Sequence, residues 1–185
     1  MQPGRRAGVA RRPRRLLARR TRAALHSLDL RLLRLLRTRC HSPRLESAVV
    51  ALAHTGESGL IWYALAGAGA VLDEKRRPVY FRAMRVVLAS MVVNTAVKQA
   101  VRRGRPALDE LPALGPVFWG RSYPSAHTTA SFAGARALSE ALPAPPVYAL
   151  AVAMALSRPY LGAHYPSDVV AGAILGDAVA ALLLP

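Results

Sequence analysis

Residues 79–101 read VYFRAMRVVLASMVVNTAVKQAV, and the uncharged run from Val86 to Val97 is bounded by Arg82 and Arg85 on one side and Lys98 on the other. Ala, Val, Leu and Met dominate, and no alternation of period two appears, so the segment reads as a helix. At 1.5 Å per residue it reaches roughly 30 Å, enough to cross a bilayer with the flanking bases snorkelling to the interfaces. Five further apolar segments surround it, residues 45–54, 58–72, 126–141, 147–157 and 167–184, each bounded by charge, Pro or Gly. These read as helices too, although each is shorter than the roughly 20 residues of a clean crossing. Length alone leaves a soluble bundle open. Composition favours the membrane, because stretches such as AVVALA (48–53) and ALPAPPVYALAVAMALS (141–157) offer hardly any polar residue for an outward face. The small residues Gly67, Ala68, Gly69, Gly172 and Gly176 permit close helix contacts within lipid. The expected fold is all-α: a multi-pass membrane helical bundle over residues 45–185.

Ahead of the bundle lies a basic arm, residues 1–44, with 14 Arg and a single acid, Asp29. The arm carries +13 of the formal +16, while the rest of the chain has 12 bases against nine acids. A disordered basic tail would lack the 52% hydrophobic content of the chain, and a soluble nucleic-acid-binding domain is rarely so apolar. In LDLRLLRLLR (28–37), Leu28, Leu32, Leu35 and Leu36 share a helical face and Arg31, Arg34 and Arg37 lie largely off it. That is the pattern of a helix lying on an anionic membrane surface. The alternative is a solvated tail in an arginine-biased chain, since only two of the 26 bases are lysine. No interleaved aromatics support nucleic-acid binding. The lone cysteine, Cys40, excludes an intramolecular disulfide and reads as an ordinary thiol, and no signal peptide of the usual form is present.

Three stretches hold polar residues that an apolar bundle would otherwise avoid. They are Lys98 to Pro106 (KQAVRRGRP), Tyr123 to Thr129 (YPSAHTT) and Ser157 to Asp168 (SRPYLGAHYPSD). From the second, the chain runs down one helix, turns at Pro143, Pro145 and Pro146, and returns up the next to the third. The first joins the second through one loop. All three therefore share one end of the bundle. Lys98, Arg105 and Arg158 crowded in an apolar setting repel one another, which is tolerable when an anion sits between them. A phosphoryl group fits, with two parallel N–H donors from each arginine and a point charge from the lysine. Pro124-Ser125 reads as an N-cap, so free backbone N–H groups near Ser125, Ala126 and His127 are expected to point at the same anion.

The histidines supply what binding alone does not need. Asp168, four residues after His164, is placed to hold one ring N–H and leave the other nitrogen free to attack phosphorus. His127, from a different helix start, is the natural general acid. Arg102, Arg103 and Arg121 read more simply as headgroup-level bases, and His54 with Glu57, like Asp177, as structural hydrogen-bonding groups. The catalytic stretches offer one carboxylate rather than the several oxygens a hard cation needs, so neither a metal nor another cofactor is expected.

Lys98-x6-Arg105-Pro106, then Pro124-Ser125-x-His127, then Ser157-Arg158-x5-His164-x3-Asp168 resembles the three-part signature of the type 2 phosphatidic acid phosphatase superfamily, which also includes vanadium haloperoxidases. The resemblance covers roughly residues 45–184. It implies an all-α core and metal-independent hydrolysis of a phosphate monoester or diphosphate through a phosphohistidine. By position it makes His164 the nucleophile, Asp168 its partner, His127 the acid, and Lys98, Arg105, Ser125, Ala126 and Arg158 the phosphate binders. Ala126 departs from the usual Gly, which implies a tighter pocket. The short apolar chain argues against a haloperoxidase. The Arg-rich arm and HTGES (54–58) are similar to actinobacterial phosphatases acting on polyprenyl phosphate sugars.

The expected partners are a lipid phosphate and the membrane, with a non-catalytic anionic-lipid binder as the competing class. The positive-inside rule puts the arm in the cytoplasm. If residues 45–72 make two crossings, the catalytic end lies outside the cell membrane; a single crossing puts it inside. The charge bias and the family resemblance favour outside.

Overall fold

A computed structural model describes residues 11–39, 41–108, 110–111, 113–114 and 120–185, with side chains from Arg20 onward. Cys40 and residues 1–10 of the arm lie outside the described residues. The described residues form seven helices, with no strand among them: α1 (Arg11–Thr38), α2 (Pro43–Thr55), α3 (Leu60–Leu72), α4 (Arg77–Val101), α5 (Ala126–Leu138), α6 (Ala144–Tyr160) and α7 (Pro166–Leu183). Ends differ from the sequence reading by a few residues. The largest change is at α6, which starts on the proline pair and runs through Pro159 to Tyr160, so Arg158 belongs to the helix. A proline pair suits a first turn, whose N–H groups have no helical partner anyway.

The centre of the packing is α5, AHTTASFAGARAL, whose small side chains let neighbours approach from every side. Trp62 of α3 is buried and donates its indole N–H to Ser131 Oγ at 3.1 Å. Asn94 of α4 donates to Thr129 Oγ1 at 2.9 Å, a polar tie of the kind that joins helices in lipid. α7 lies so close that a methyl group on Gly176 would sit 2.2 Å from the Thr129 carbonyl oxygen, and one on Gly172 2.7 Å from that of Ser125. Gly69 is similarly pressed by Tyr80. Gly67, expected to do the same, meets nothing nearer than Met84 Cε at 3.7 Å.

The chain climbs α4, descends α5, climbs α6 and descends α7, so the three polar stretches gather at one end, as the helix order predicts. α7 is the one described helix long and apolar enough to cross a membrane; residues 57–72 form a shorter apolar helix.

The N-terminal helices depart from expectation. α1 buries Asp29, Leu33 and Arg37, an i, i+4, i+8 stripe, against the bundle, while Leu28, Leu32 and Leu35 stay exposed on a neighbouring stripe. The face that docks most closely on the bundle is thus not the leucine face. The docking contacts lie at the end where the polar stretches meet: Asp29 Oδ1 accepts from Ser167 N at 2.9 Å, and Arg37 Nη1 donates to Tyr160 O at 3.2 Å. Nor does α2 cross to the far end. His41, just before it, stacks on Tyr160 with ring centroids 4.2 Å apart, and Ala53, near its end, bonds His127 at 3.1 Å. Its 13 residues span about 20 Å, short of a crossing. Both ends of α2 therefore contact the end where the polar stretches meet, where α1 also docks.

Gly176→Ala is expected to cost about 1–3 kcal/mol through overpacking of α5 on α7, seen as a lower thermal midpoint in detergent. Gly67→Ala should leave that midpoint unchanged or raise it. Equal effects from the two would contradict this packing.

Candidate active site

At the gathered end is a cavity of about 250 Å³ whose walls include Lys98, Arg105, Ala126, His127, Arg158 and His164. Six of the eight residues expected from sequence thus line one space. Asp168 lies behind His164, and Ser125 is fully buried as the N-cap of α5, its Oγ accepting from Thr128 N at 3.4 Å. The Ser125 N–H does not point at the cavity as expected. It donates to the Asp168 carbonyl oxygen at 3.0 Å, which leaves Ala126 and His127 as the first-turn N–H groups without a helical partner.

The cations are arranged for something that is not protein. Arg158 is 6% exposed, and its Nε has no hydrogen-bond partner; Arg105 Nε is likewise buried and unpaired. Arg105 Nη1 donates to Ala163 O at 2.9 Å and lies 3.3 Å from His164 Nε2. Lys98 is anchored by donation to Arg121 O at 3.0 Å. A buried guanidinium with an idle donor is costly, and a tetrahedral anion in the cavity would meet that donor.

His164 is 2% exposed and its two ring nitrogens have different surroundings. Nδ1 lies 3.3 Å from Ser122 Oγ and 3.7 Å from Asp168 Oδ2, while Nε2 faces Arg105 and the cavity. An Nδ1–H tautomer satisfies the carboxylate side and leaves the Nε2 lone pair on the cavity side, where it accepts from Arg105 Nη1 at 3.3 Å. Burial pushes the imidazole down to about 4, helped by Arg105, Arg158 and Lys98 and opposed by its bond to Asp168. The ring is therefore neutral, and nucleophilic, at neutral pH.

Asp168 is fully buried and surrounded by donors. Oδ2 accepts from Ser122 Oγ and from Tyr165 N, the latter at 3.0 Å, and Oδ1 accepts from Arg103 Nη1 at 2.7 Å. Ser122 and Arg103 were not singled out from sequence. Nothing local marks Ser122 in the long loop after α4. Arg103, read as a headgroup-level base, instead turns inward, held by Asp29 as well as Asp168. On the opposite wall, His127 Nε2 donates to Ala53 O at 3.1 Å, so a proton for a leaving group must be carried on Nδ1 or released by breaking that bond. His54 Nδ1 and Glu57 Oε1 pair at 2.9 Å, but Glu57 also lines the cavity, beyond the structural role read from sequence; Asp177 pairs with Arg136 at 2.8 Å. Among the described residues no group of three or more His, Cys, Asp or Glu is placed to hold a metal ion.

Residues 79–185 match the model of the PAP2 superfamily, which is more than half of the chain. The chain belongs to this superfamily. It is a phosphatase, and its relatives carry that activity. Over 122 residues it is 36% identical to the decaprenylphosphoryl-5-phosphoribose phosphatase of Mycolicibacterium smegmatis, covering 66% of this chain and 68% of that one. The crystal structure of Aquifex aeolicus LpxE superposes with a TM-score of 0.74 at 26% identity, over 84% of this chain and 94% of that one. A transmembrane PAP2 type phosphatidylglycerolphosphate phosphatase from Bacillus subtilis shares the fold, with a TM-score of 0.71 at 24% identity over 86% and 84% of the two chains.

Because His164 excludes a proton in the fold, the unfolded chain, whose imidazole titrates near 6.5, binds one more proton between about 6.5 and 4. Stability should therefore fall as pH drops through that window. Measured as thermal midpoints in detergent, wild type should lose ground to His164→Gln from about pH 6.5 downward and keep a constant offset above about pH 7. A pH-independent offset throughout would contradict the neutral, buried imidazole.

Proposed function

We propose that this phosphatase is an integral-membrane enzyme hydrolysing the phosphate monoester or diphosphate of a lipid, with a polyprenyl phosphate sugar as the favoured substrate class. The observation that carries the mechanism is the asymmetry of His164: Nδ1 is held by the carboxylate side while Nε2 faces Arg105 in a cationic cavity where the Nε atoms of Arg105 and Arg158 have no partner. The mycobacterial relative, named for a decaprenylphosphoryl sugar phosphate, supports the substrate class.

In the proposed reaction the phosphate is held by Lys98, Arg105, Arg158 and the N–H groups of Ala126 and His127, and Ser125 shapes the helix start that presents them. The Nε2 lone pair attacks phosphorus, the bond to the leaving oxygen breaks, and His127 gives that oxygen a proton. Asp168 stabilises the positive charge on the ring. Water then attacks the phosphohistidine, His127 takes its proton, and breaking the P–N bond releases phosphate. The surrounding donors stabilise the equatorial oxygens in both steps. A cationic wall suits an anion and repels a metal ion, so turnover should survive a chelator.

For the membrane arrangement we infer that the α3–α7 bundle is embedded in the membrane, with α1 and α2 at the catalytic end. With α2 lying at the catalytic end, the arginine count favours the cytoplasm for both the arm and the cavity, against the outward-facing site expected from sequence. Support comes from the docking of α1 beside Ser167 and Tyr160.

Assayed in detergent against a panel of polyprenyl phosphates and phospholipids, the purified protein should release phosphate, and His164→Ala should lower kcat by about three orders of magnitude or more. Normal turnover by that variant would sink the mechanism. In a Cys40→Ser background, single cysteines at Arg20 and Ala107 should react with an impermeant thiol reagent in the same vesicle orientation, the one exposing the cytoplasmic face. Labelling in opposite orientations would overturn the topology.

A further inference from the structure

Asp29 is the single acid among the first 44 residues, set in a helix crowded with arginine. No arginine of its own helix stands three or four residues away to pair with it, since those positions are Leu25, His26, Leu32 and Leu33. Instead it is 4% exposed and turned towards the bundle. There its carboxylate accepts three hydrogen bonds: from Ser167 N at 2.9 Å, from Ser167 Oγ at 2.6 Å and from Arg103 Nη2 at 2.7 Å. A buried carboxylate needs such partners, yet their identity carries more than solvation.

Arg103 joins two carboxylates. Nη2 goes to Asp29, and Nη1 goes to Asp168 Oδ1 at 2.7 Å and to Ser167 Oγ at 2.7 Å. Its guanidinium carbon lies 4.0 Å above the ring of Tyr165, and the ring of His26 meets the other partner of this stack, Tyr165, edge-on at 5.7 Å. Burial alone would make the guanidinium easier to deprotonate, but its bonds to Asp29 and Asp168 outweigh this and hold it charged. A long, flexible side chain is thereby fixed at both nitrogens and on one face. What it fixes is the rotation of Asp168: with Oδ1 taken by Arg103, Oδ2 is left for Ser122 and the Nδ1 side of His164.

We propose that Asp29 is a positioning residue for the phosphatase reaction, supplied by the N-terminal helix α1, that acts through Arg103 to set the orientation of Asp168 behind His164. Asp29 does not line the phosphate cavity, so its contribution falls on the chemical step and not on substrate binding. It also makes α1 a part of the catalytic apparatus: the helix that leaves Leu28, Leu32 and Leu35 exposed completes the carboxylate network with another face. This rests on the reading of His164 and Asp168 as nucleophile and partner.

The test is steady-state kinetics of the full chain in detergent, with inorganic phosphate as competitive inhibitor. Asp29→Asn should lower kcat by about 10- to 100-fold, the range common for residues supporting a first-contact ligand, with KM and the inhibition constant for phosphate changed less than about twofold. In an Arg103→Lys background the same change should cost less than about twofold more, because the route through Arg103 is already broken. Arg34→Gln, on the exposed face of α1, should match wild type. An unchanged kcat in Asp29→Asn, a loss confined to KM, or losses that multiply with Arg103→Lys would each overturn the proposal. If Asp29→Asn does not accumulate as folded protein, Asp29→Ser is read by the same criteria. His164→Ala separates the two levels: if it turns over substrate, the reading of the site falls; if it is inactive while Asp29→Asn is normal, the positioning role alone falls.

Discussion

Two guanidinium groups with buried, unpaired Nε donors, Arg105 and Arg158, share a small cavity with Lys98, two imidazoles and one carboxylate, Glu57. Removing such ions from water costs several kcal/mol each even after relaxation, and their mutual repulsion adds to it. A protein gains nothing in stability by gathering them. The arrangement makes sense as a site whose missing charge arrives with the substrate, and much of the nearby structure follows from holding these cations around one imidazole. His164 must be buried to stay neutral, Asp168 must be buried to hold it, and Asp168 in turn collects Ser122, Tyr165 N–H and Arg103.

The helical bundle serves this constraint by bringing helix ends together. A central α5 made of Ala, Thr, Ser and Gly lets α7 approach backbone to backbone, and the first turns of α5 and α7 then sit side by side, joined by Ser125 N–H donating to Asp168 O. The first-turn N–H groups of α5 and the carboxylate behind His164 are thereby fixed relative to each other by main chain. Side-chain ties such as Asn94 to Thr129 lock α4, and with it Lys98, into the same frame. Precision at the site comes from close backbone contact, which explains why glycines, not large apolar residues, occupy the α5-facing positions of α7.

Much of this was legible in the sequence. Helix type and order followed from apolar segments and their charged or proline boundaries, and the three polar stretches converged because alternating helices must return to one end. Lys98, Arg105, Arg158, His127 and His164 were recognisable because charge in an apolar setting is conspicuous. The parts that were not legible share a cause. Ser122 lies in a loop with no periodicity, Arg103 is one arginine among several, and its partner Asp29 is 74 residues away. Pairings at such separations leave no local pattern. The course of α2 stayed open for a related reason: an apolar segment can lie along a bundle end as well as run its length, and only contacts such as those with His127 and, through His41, Tyr160 place it. The leucines of α1 were read correctly as apolar, but the face that docks is the one bearing Asp29.

The most direct measurement is identification of the covalent species. Rapid base quenching of the enzyme with phosphate-labelled lipid substrate, followed by peptide mass spectrometry, should place phosphate on His164 and on its Nε2 atom, since Nδ1 faces Ser122 and Asp168. Phosphate on His127, on Nδ1 of His164, or on no side chain under conditions of rapid turnover would contradict the account.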